Sequence, residues 1–342
     1  MPTTQLYDLA DELFHLAPWQ WMHEDQLIGL SHPVTGELAQ ISIMGANGEH
    51  LCLALYLGED ALHRFNTLHQ ELPNDRELSQ EDVTALILES RQLQVSFDTR
   101  HPLSKTDLAE IKKLGRKYRG GNYPQFRSLQ PGRTPTYIND AEAEWLVHAL
   151  TQIQEVAPLL RTGLMEHQRT GPQGLESLTR VYEGAAWRTL WKLTDMRQYV
   201  FPTPESDATL LEKVARHPTK KHLECQFQLL PIPIGASPET SVYVFSLLIV
   251  DRKSGFVFGV EILSVEKQTY AEMIASVPNH FLRVCDQHKI RPTSLHVATM
   301  TTHALLEKSA TAFSIPLEME EELPALQNAL SSVMKFMRGG ER

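Results

Sequence analysis

Three sets of residues in this 342-residue chain have types and spacing that could do chemistry. The first is acidic. Asp251 ends a strongly apolar stretch, Glu261 follows in the next one, and Glu321 lies in the acidic run before the last helix-like segment. Carboxylates brought together in a fold can hold Mg²⁺ for phosphodiester cleavage, because such cleavage needs both the attacking and the leaving oxygen stabilised. Asp251 also has a simpler reading as a turn residue whose side chain bonds the backbone two positions on. The second set pairs His217, His222 and Cys225 with His280, Cys285 and His288, which are zinc-type ligands. Cys225 falls on a strand expected to be buried and Cys285 on the apolar side of a helix. Offsets of five and three do not gather three side chains on one helix face. No metal or other cofactor is expected from this set, and Mg²⁺ enters only with the acidic alternative.

The third set is basic. From Arg100 to Arg133, Lys and Arg are opposed only by Asp107 and Glu110. Within it Lys112, Lys113, Arg116, Lys117, Arg119, Arg127 and Arg133 are interleaved with Tyr118, Tyr123 and Phe126, and cations beside stacking surfaces suit single-stranded nucleic acid or an acidic partner. A competing reading makes it a structured loop whose aromatics pack on a sheet and whose arginines pair with acids elsewhere. The formal net charge of −10 argues against broad, non-specific polyanion binding, so any such contact is confined to this block.

A hydrophobic share of 42% and the chain length suit two domains. No basic leader precedes an apolar run, and no segment approaches the roughly 20 apolar residues that span a bilayer, so a soluble, cytoplasmic protein is expected. Cys52, Cys225 and Cys285 are odd in number and widely spaced, which fits a reducing compartment. Gly45 and Gly48 lead into a strand, leaving no helix N-terminus to cradle an anion, and no Gly-x-Ser-x-Gly elbow occurs.

The elements that position these residues follow from periodicity. Leu6, Leu9, Leu13 and Leu16 predict an opening helix that ends near Pro18, followed by antiparallel strands over 26–30, 38–44, 51–57 and 92–97. A basic helix over 106–118 precedes a loop over 119–137. Asn139 and Glu142 then form a capping box for a helix with Trp145, Leu146, Ala149, Leu150, Ile153 and Val156 on one face. Residues 161–217 are expected to form a helical connector, with Trp187 and Trp191 on one helix face. Beyond it lie a strand over 223–232, a hairpin over 243–263 whose first arm is apolar on both faces, and then helix, strand, helix, strand and helix.

The phrases SIMGANGEHLCLALYLG and YRGGNYPQFRSLQPGRTPTYINDAEAEWLVHAL resemble the N-terminal half of a family of uncharacterised bacterial proteins, and LIVDRKSG and RPTSLHVAT resemble the domain that accompanies it. That resemblance implies bacterial origin and a tandem architecture, without an activity. The order of elements in the second half also resembles the ribonuclease H-like fold, which bears on fold alone.

The expected architecture is an α+β domain over 1–160 (antiparallel sheet with helices), the connector over 161–217, and an α/β ribonuclease H-like domain over 218–342 (mixed sheet, three-strand antiparallel unit followed by βαβα). The expected function is non-catalytic binding of an anionic macromolecule, nucleic acid or acidic protein, through the basic block. The alternative is a divergent metal-dependent phosphodiesterase using Asp251, Glu261 and Glu321.

Overall fold

Leu6, Tyr7, Ala10 and Leu13 recur at helical spacing, and all four are buried along α1 (Thr4–Leu16). A computed structural model describes residues 4–46, 48, 50–71, 77–235, 237 and 240–339. The chain divides into two compact units: residues up to 70, 89–131 and 135–199 in the first, and 71–88, 132–134 and 200 onward in the second. Among the described residues no helix is long and apolar enough to cross a membrane.

In chain order the elements of the first part are β1 (Ile28–Ser31), β2 (Leu38–Met44), β3 (Leu51–Leu57), α2 (Glu59–His69), α3 (Gln80–Leu88), β4 (Gln92–Asp98), α4 (Lys105–Lys113), β5 (Tyr123–Leu129) and α5 (Asp140–Arg161). Strands β6 (Gln168–Gly171), β7 (Gly174–Glu183) and β8 (Ala186–Leu193) complete it. β1 to β5 form the antiparallel series that the short turns require. α1 and α5 supply the apolar residues that close the core, with Trp145, Leu146, Leu150 and Ile153 buried against the inward strand residues. The capping box of α5 is present: Asn139 accepts from the Glu142 N–H at 3.0 Å and Glu142 accepts from the Asn139 N–H at 2.9 Å.

Two expectations change here. Residues 168–193 are strands and not part of a helical connector: β7 pairs with β6 and β8 and runs parallel to β1, so the first sheet is mixed. Trp187 and Trp191 lie on β8 and pack on the first core. Their spacing of four puts them on one face in a strand as well as in a helix, which is why periodicity misled. Gly29 makes the β1–β7 contact feasible, since a Cβ there would meet Thr179 Oγ1 at 2.6 Å. The segment 119–137 is likewise only partly loop, because β5 forms within it.

The second unit contains α6 (Ala208–Ala215), β9 (Thr219–Ile234), β10 (Val242–Asp251), β11 (Val257–Ser264), α7 (Tyr270–Gln287), β12 (Ile290–Val297), α8 (Met300–Phe313), β13 (Leu317–Met319) and α9 (Pro324–Gly339). Its strand order is β11-β10-β9-β12-β13, with β9 to β11 antiparallel and β12 and β13 parallel to β9. α6, α7 and α8 cover one face. α9 covers the other through Leu326 and Ala329 against Leu248 and Val250. β10 is buried on both sides, as its sequence requires.

Helix α3 belongs to this second unit, which places residues 71–88 outside the boundaries expected from sequence. Its buried Asp82 accepts from the backbone N–H groups of Met300 (2.9 Å) and Thr301 (3.2 Å) and from the Thr301 hydroxyl (2.9 Å), supplying acceptors to the first turn of α8. A carboxylate at a helix N-terminus satisfies donors that have no partner within the helix and opposes the positive end of its dipole. Asp82→Ala is expected to destabilise the second unit by about 3 kcal/mol, the cost of leaving buried N–H groups unpaired together with a lost cap. Urea denaturation, with hydrogen exchange at α8 amides, measures this; α8 protection equal to wild type would contradict the role given to Asp82.

Candidate functional sites

The basic block separates into structural and free cations. Arg127, projecting from β5, forms a fork onto Asp107 (Nη1–Oδ1 3.0 Å, Nη2–Oδ2 2.6 Å) and stacks 5.0 Å from the Tyr137 ring. Burial raises the Asp107 carboxyl, but the bonds from Arg127 and Ser104 outweigh it and hold the group below its ordinary value. Arg116 bonds Asp8 and Asp11 on α1 and lies over the Tyr7 ring. Phe126 is buried in the core, edge-on to Tyr7 at 5.0 Å. Arg133 sits with the second unit, where it bridges to Val242. What remains on the first unit is the exposed run Lys112, Lys113, Lys117 and Arg119, beside the half-buried rings of Tyr118 and Tyr123 at 5.5 Å. Lys113 makes an exposed pair with Glu110 at 3.3 Å; Lys112, Lys117 and Arg119 have no side-chain partner among the described residues.

The three acids of the alternative reading do not converge. Asp251 closes the β10–β11 turn, accepting from the Ser254 N–H at 3.3 Å and from Lys221 Nζ at 3.0 Å. Glu261 lies on the edge strand β11, where it meets His280 at 2.8 Å. Glu321 follows β13, the opposite edge, so four strand spacings of about 4.8 Å separate the two edges. The His/Cys sets are dispersed too: His217 bonds Asp286 at 2.9 Å, and Cys225 and Cys285 are buried, with burial pushing both thiols up.

A different polar group assembles on the second sheet. Parallel register sets Glu224 on β9, His296 on β12 and Glu318 on β13 opposite one another in a single cross-strand row. His296 Nδ1 lies 2.8 Å from Glu320 Oε1 and 3.4 Å from Glu318 Oε2. Its Nε2 meets Ser294 Oγ at 2.8 Å, and Ser294 meets the exposed His222 at 2.7 Å. Arg252 grips both oxygens of Glu320 at 2.7 and 2.9 Å; that fork, aided by His296, lowers the Glu320 carboxyl, while Glu224 accepts from the Leu326 N–H at the start of α9. The Ser294–His296–Glu320 line has the polarity of a nucleophile, base and orienting acid, but Ser294 is 5% exposed and closed to a substrate. Sequence reasoning missed this group. The available signal was polar residues spaced by two within strands or just past their ends, at 222/224, 294/296 and 318/320, and the register that aligns them is not local information.

The first unit also contains a cavity of about 320 Å³ beside α2, lined by Gln40, Gln168, Lys192, Asp25 and Asp195 among others. Charges of both signs line it, so it selects no single ligand charge.

Two sheets, each mixed, with helices packed on them define a two-domain α/β protein. Residues 4–180 match the model of the domain of unknown function DUF7309; they make up more than half of the chain, and the chain belongs to that family. Residues 210–334 match a second domain of unknown function, DUF6930. No curated protein and no solved structure matches the chain.

The Asp107–Arg127 fork gives a stability test. Arg127→Met leaves a nearly buried carboxylate unpaired and is expected to cost the first unit about 3 kcal/mol at pH 7. Because the folded Asp107 carboxyl lies below its ordinary value of about 3.9, the pair's contribution is complete above that pH and fades as pH falls below it. Urea denaturation from pH 7 to pH 2 should therefore show the variant and the wild type converging in acid; a gap independent of pH would rule out this origin.

Proposed function

We propose that this chain is a cytoplasmic, non-catalytic binding protein whose first unit holds a single-stranded nucleic acid or similar polyanion on Lys112, Lys113, Lys117 and Arg119. The observation that carries this reading is that Lys112, Lys117 and Arg119 are exposed and have no side-chain partner among the described residues, in a chain of net charge −10 where the neighbouring Arg116 and Arg127 both have carboxylate partners. Exposed cations within reach of acids normally pair or stand as a solvated face. A run left free beside two tyrosine rings has the composition that tracks a phosphate backbone while bases stack.

The β11-β10-β9-β12-β13 order, antiparallel in its first three strands and parallel in its last two, supports a ribonuclease H-like reading of the second unit. The ion pair of Asp251 with Lys221 and the 2.8 Å contact of Glu261 with His280 favour a scaffold role for those acids over a Mg²⁺-dependent one. Three buried, unbridged cysteines suit a reducing compartment.

The test is fluorescence anisotropy with a labelled single-stranded 20-mer over a salt series. The variant Lys112→Glu, Lys117→Glu, Arg119→Glu keeps the structural arginines in place. Its expected loss of affinity is at least tenfold, and the slope of log K against log salt should flatten by about 2, from roughly 0.7 per phosphate contact removed. Equal affinity and slope in variant and wild type, or a wild type that binds no polyanion, would overturn the reading. Arg116→Glu is unsuited to this purpose, since it breaks the pairs with Asp8 and Asp11.

A further inference from the structure

We propose that His296, Glu318 and Glu320 form a binding site for one divalent transition-metal ion of the zinc type. This inference is independent of the binding role given to the first unit. The strands themselves build the site: β12 supplies His296, and β13, paired to it in parallel register, supplies Glu318 directly opposite and Glu320 two residues on. One ligand atom from each lies within 4.8 Å of the other two. Two ligands each about 2.1 Å from a tetrahedral ion stand about 3.4 Å apart; His296 Nδ1 and Glu318 Oε2 are already at 3.4 Å, and the 2.8 Å contact of Nδ1 with Glu320 Oε1 would open slightly as the ion replaced the hydrogen bond.

The imidazole is already oriented for this role. Its Nε2 is engaged by Ser294, itself bonded to His222, so the ring is fixed with Nδ1 aimed between the two carboxylates. Metal-ligating histidines are held in this way through the ring nitrogen that does not bind the ion. His296 is 7% exposed, whereas the Glu318 side chain is 55% exposed, so the ion would be anchored from the sheet and open to water on its outer side.

Charge points the same way. Arg252 takes both oxygens of Glu320 at 2.7 and 2.9 Å, which leaves Glu318 with His296 alone beside it among the described residues. Arg252 keeps Glu320 in place through both oxygens, including the Oε1 that faces His296; a carboxylate has lone pairs enough for a guanidinium and an ion together. One nitrogen and two oxygen donors suit Zn²⁺ or Mn²⁺ better than Mg²⁺, which prefers an all-oxygen octahedron. The site differs from the Asp251, Glu261 and Glu321 set in every ligand. Its consequence is mechanical: β13 has three residues, and an ion joining Glu318 within it and Glu320 just past its end to His296 would pin that edge strand to the sheet.

The experiment is calorimetric titration of the chelator-treated full-length protein with ZnCl₂ and, separately, MnCl₂. Hydrogen exchange is followed at the amides of residues 317–320. One equivalent of Zn²⁺ is expected to bind and to slow exchange there. His296→Ala and Glu318→Gln should each weaken binding more than tenfold, and Ser294→Ala about tenfold through loss of ring orientation. His217→Ala, which touches a different carboxylate, should leave it unchanged. Should His296→Ala fail to fold, the largely exposed Glu318→Gln decides the matter alone. Absence of binding in the wild type, or wild-type affinity in Glu318→Gln, would overturn the proposal.

Discussion

Strand β10 turns Phe245, Leu247 and Ile249 to one side and Leu248 and Val250 to the other, and all five are buried. Each such side chain left in water costs about 1.5–3 kcal/mol, so the strand has to be covered twice. α7 and α8 do this on one face and α9 on the other. β9 and β11 flank β10, and the parallel strands β12 and β13 lie beyond β9. The polar row Glu224, His296 and Glu318 depends on that arrangement, because it exists only where three strands run parallel in register.

The same demand explains where polar side chains are tolerated. Glu224 is 1% exposed on β9, and it is admitted because the first turn of α9 offers it a backbone donor. Asp82 is admitted beneath α8 on the same terms. In each case a buried carboxylate and the open end of a helix cancel each other's unsatisfied groups.

What the amino-acid sequence discloses follows the range of the interactions. The two-sided apolar pattern of β10 and the capping box of α5 are read within a few residues, and both appear in the structure as read. The strands β6 to β8 were missed because Trp187 and Trp191 satisfy two periods at once, and because the β1–β7 pairing that gives β7 its place joins residues far apart in the chain. Site residues divide in the same way. Exposed cations at 112, 117 and 119 are visible in composition, whereas the commitment of Arg116 to Asp8 and Asp11, over a hundred positions away, is not. The cluster around His296 combines residues from four strands or their ends, and no window of sequence contains it.

Helix α3 gives the chain a temporal constraint. Asp82 and the α8 amide it serves are 218 positions apart. At a synthesis rate of 5–20 residues per second, α3 leaves the ribosome roughly 10–40 s before its partner exists. During that interval residues 89–131 and 135–199 complete the first unit, whose residues up to 70 precede the helix in the chain. Until then Asp82 has no α8 amide to serve, and the helix waits for the unit to which it belongs.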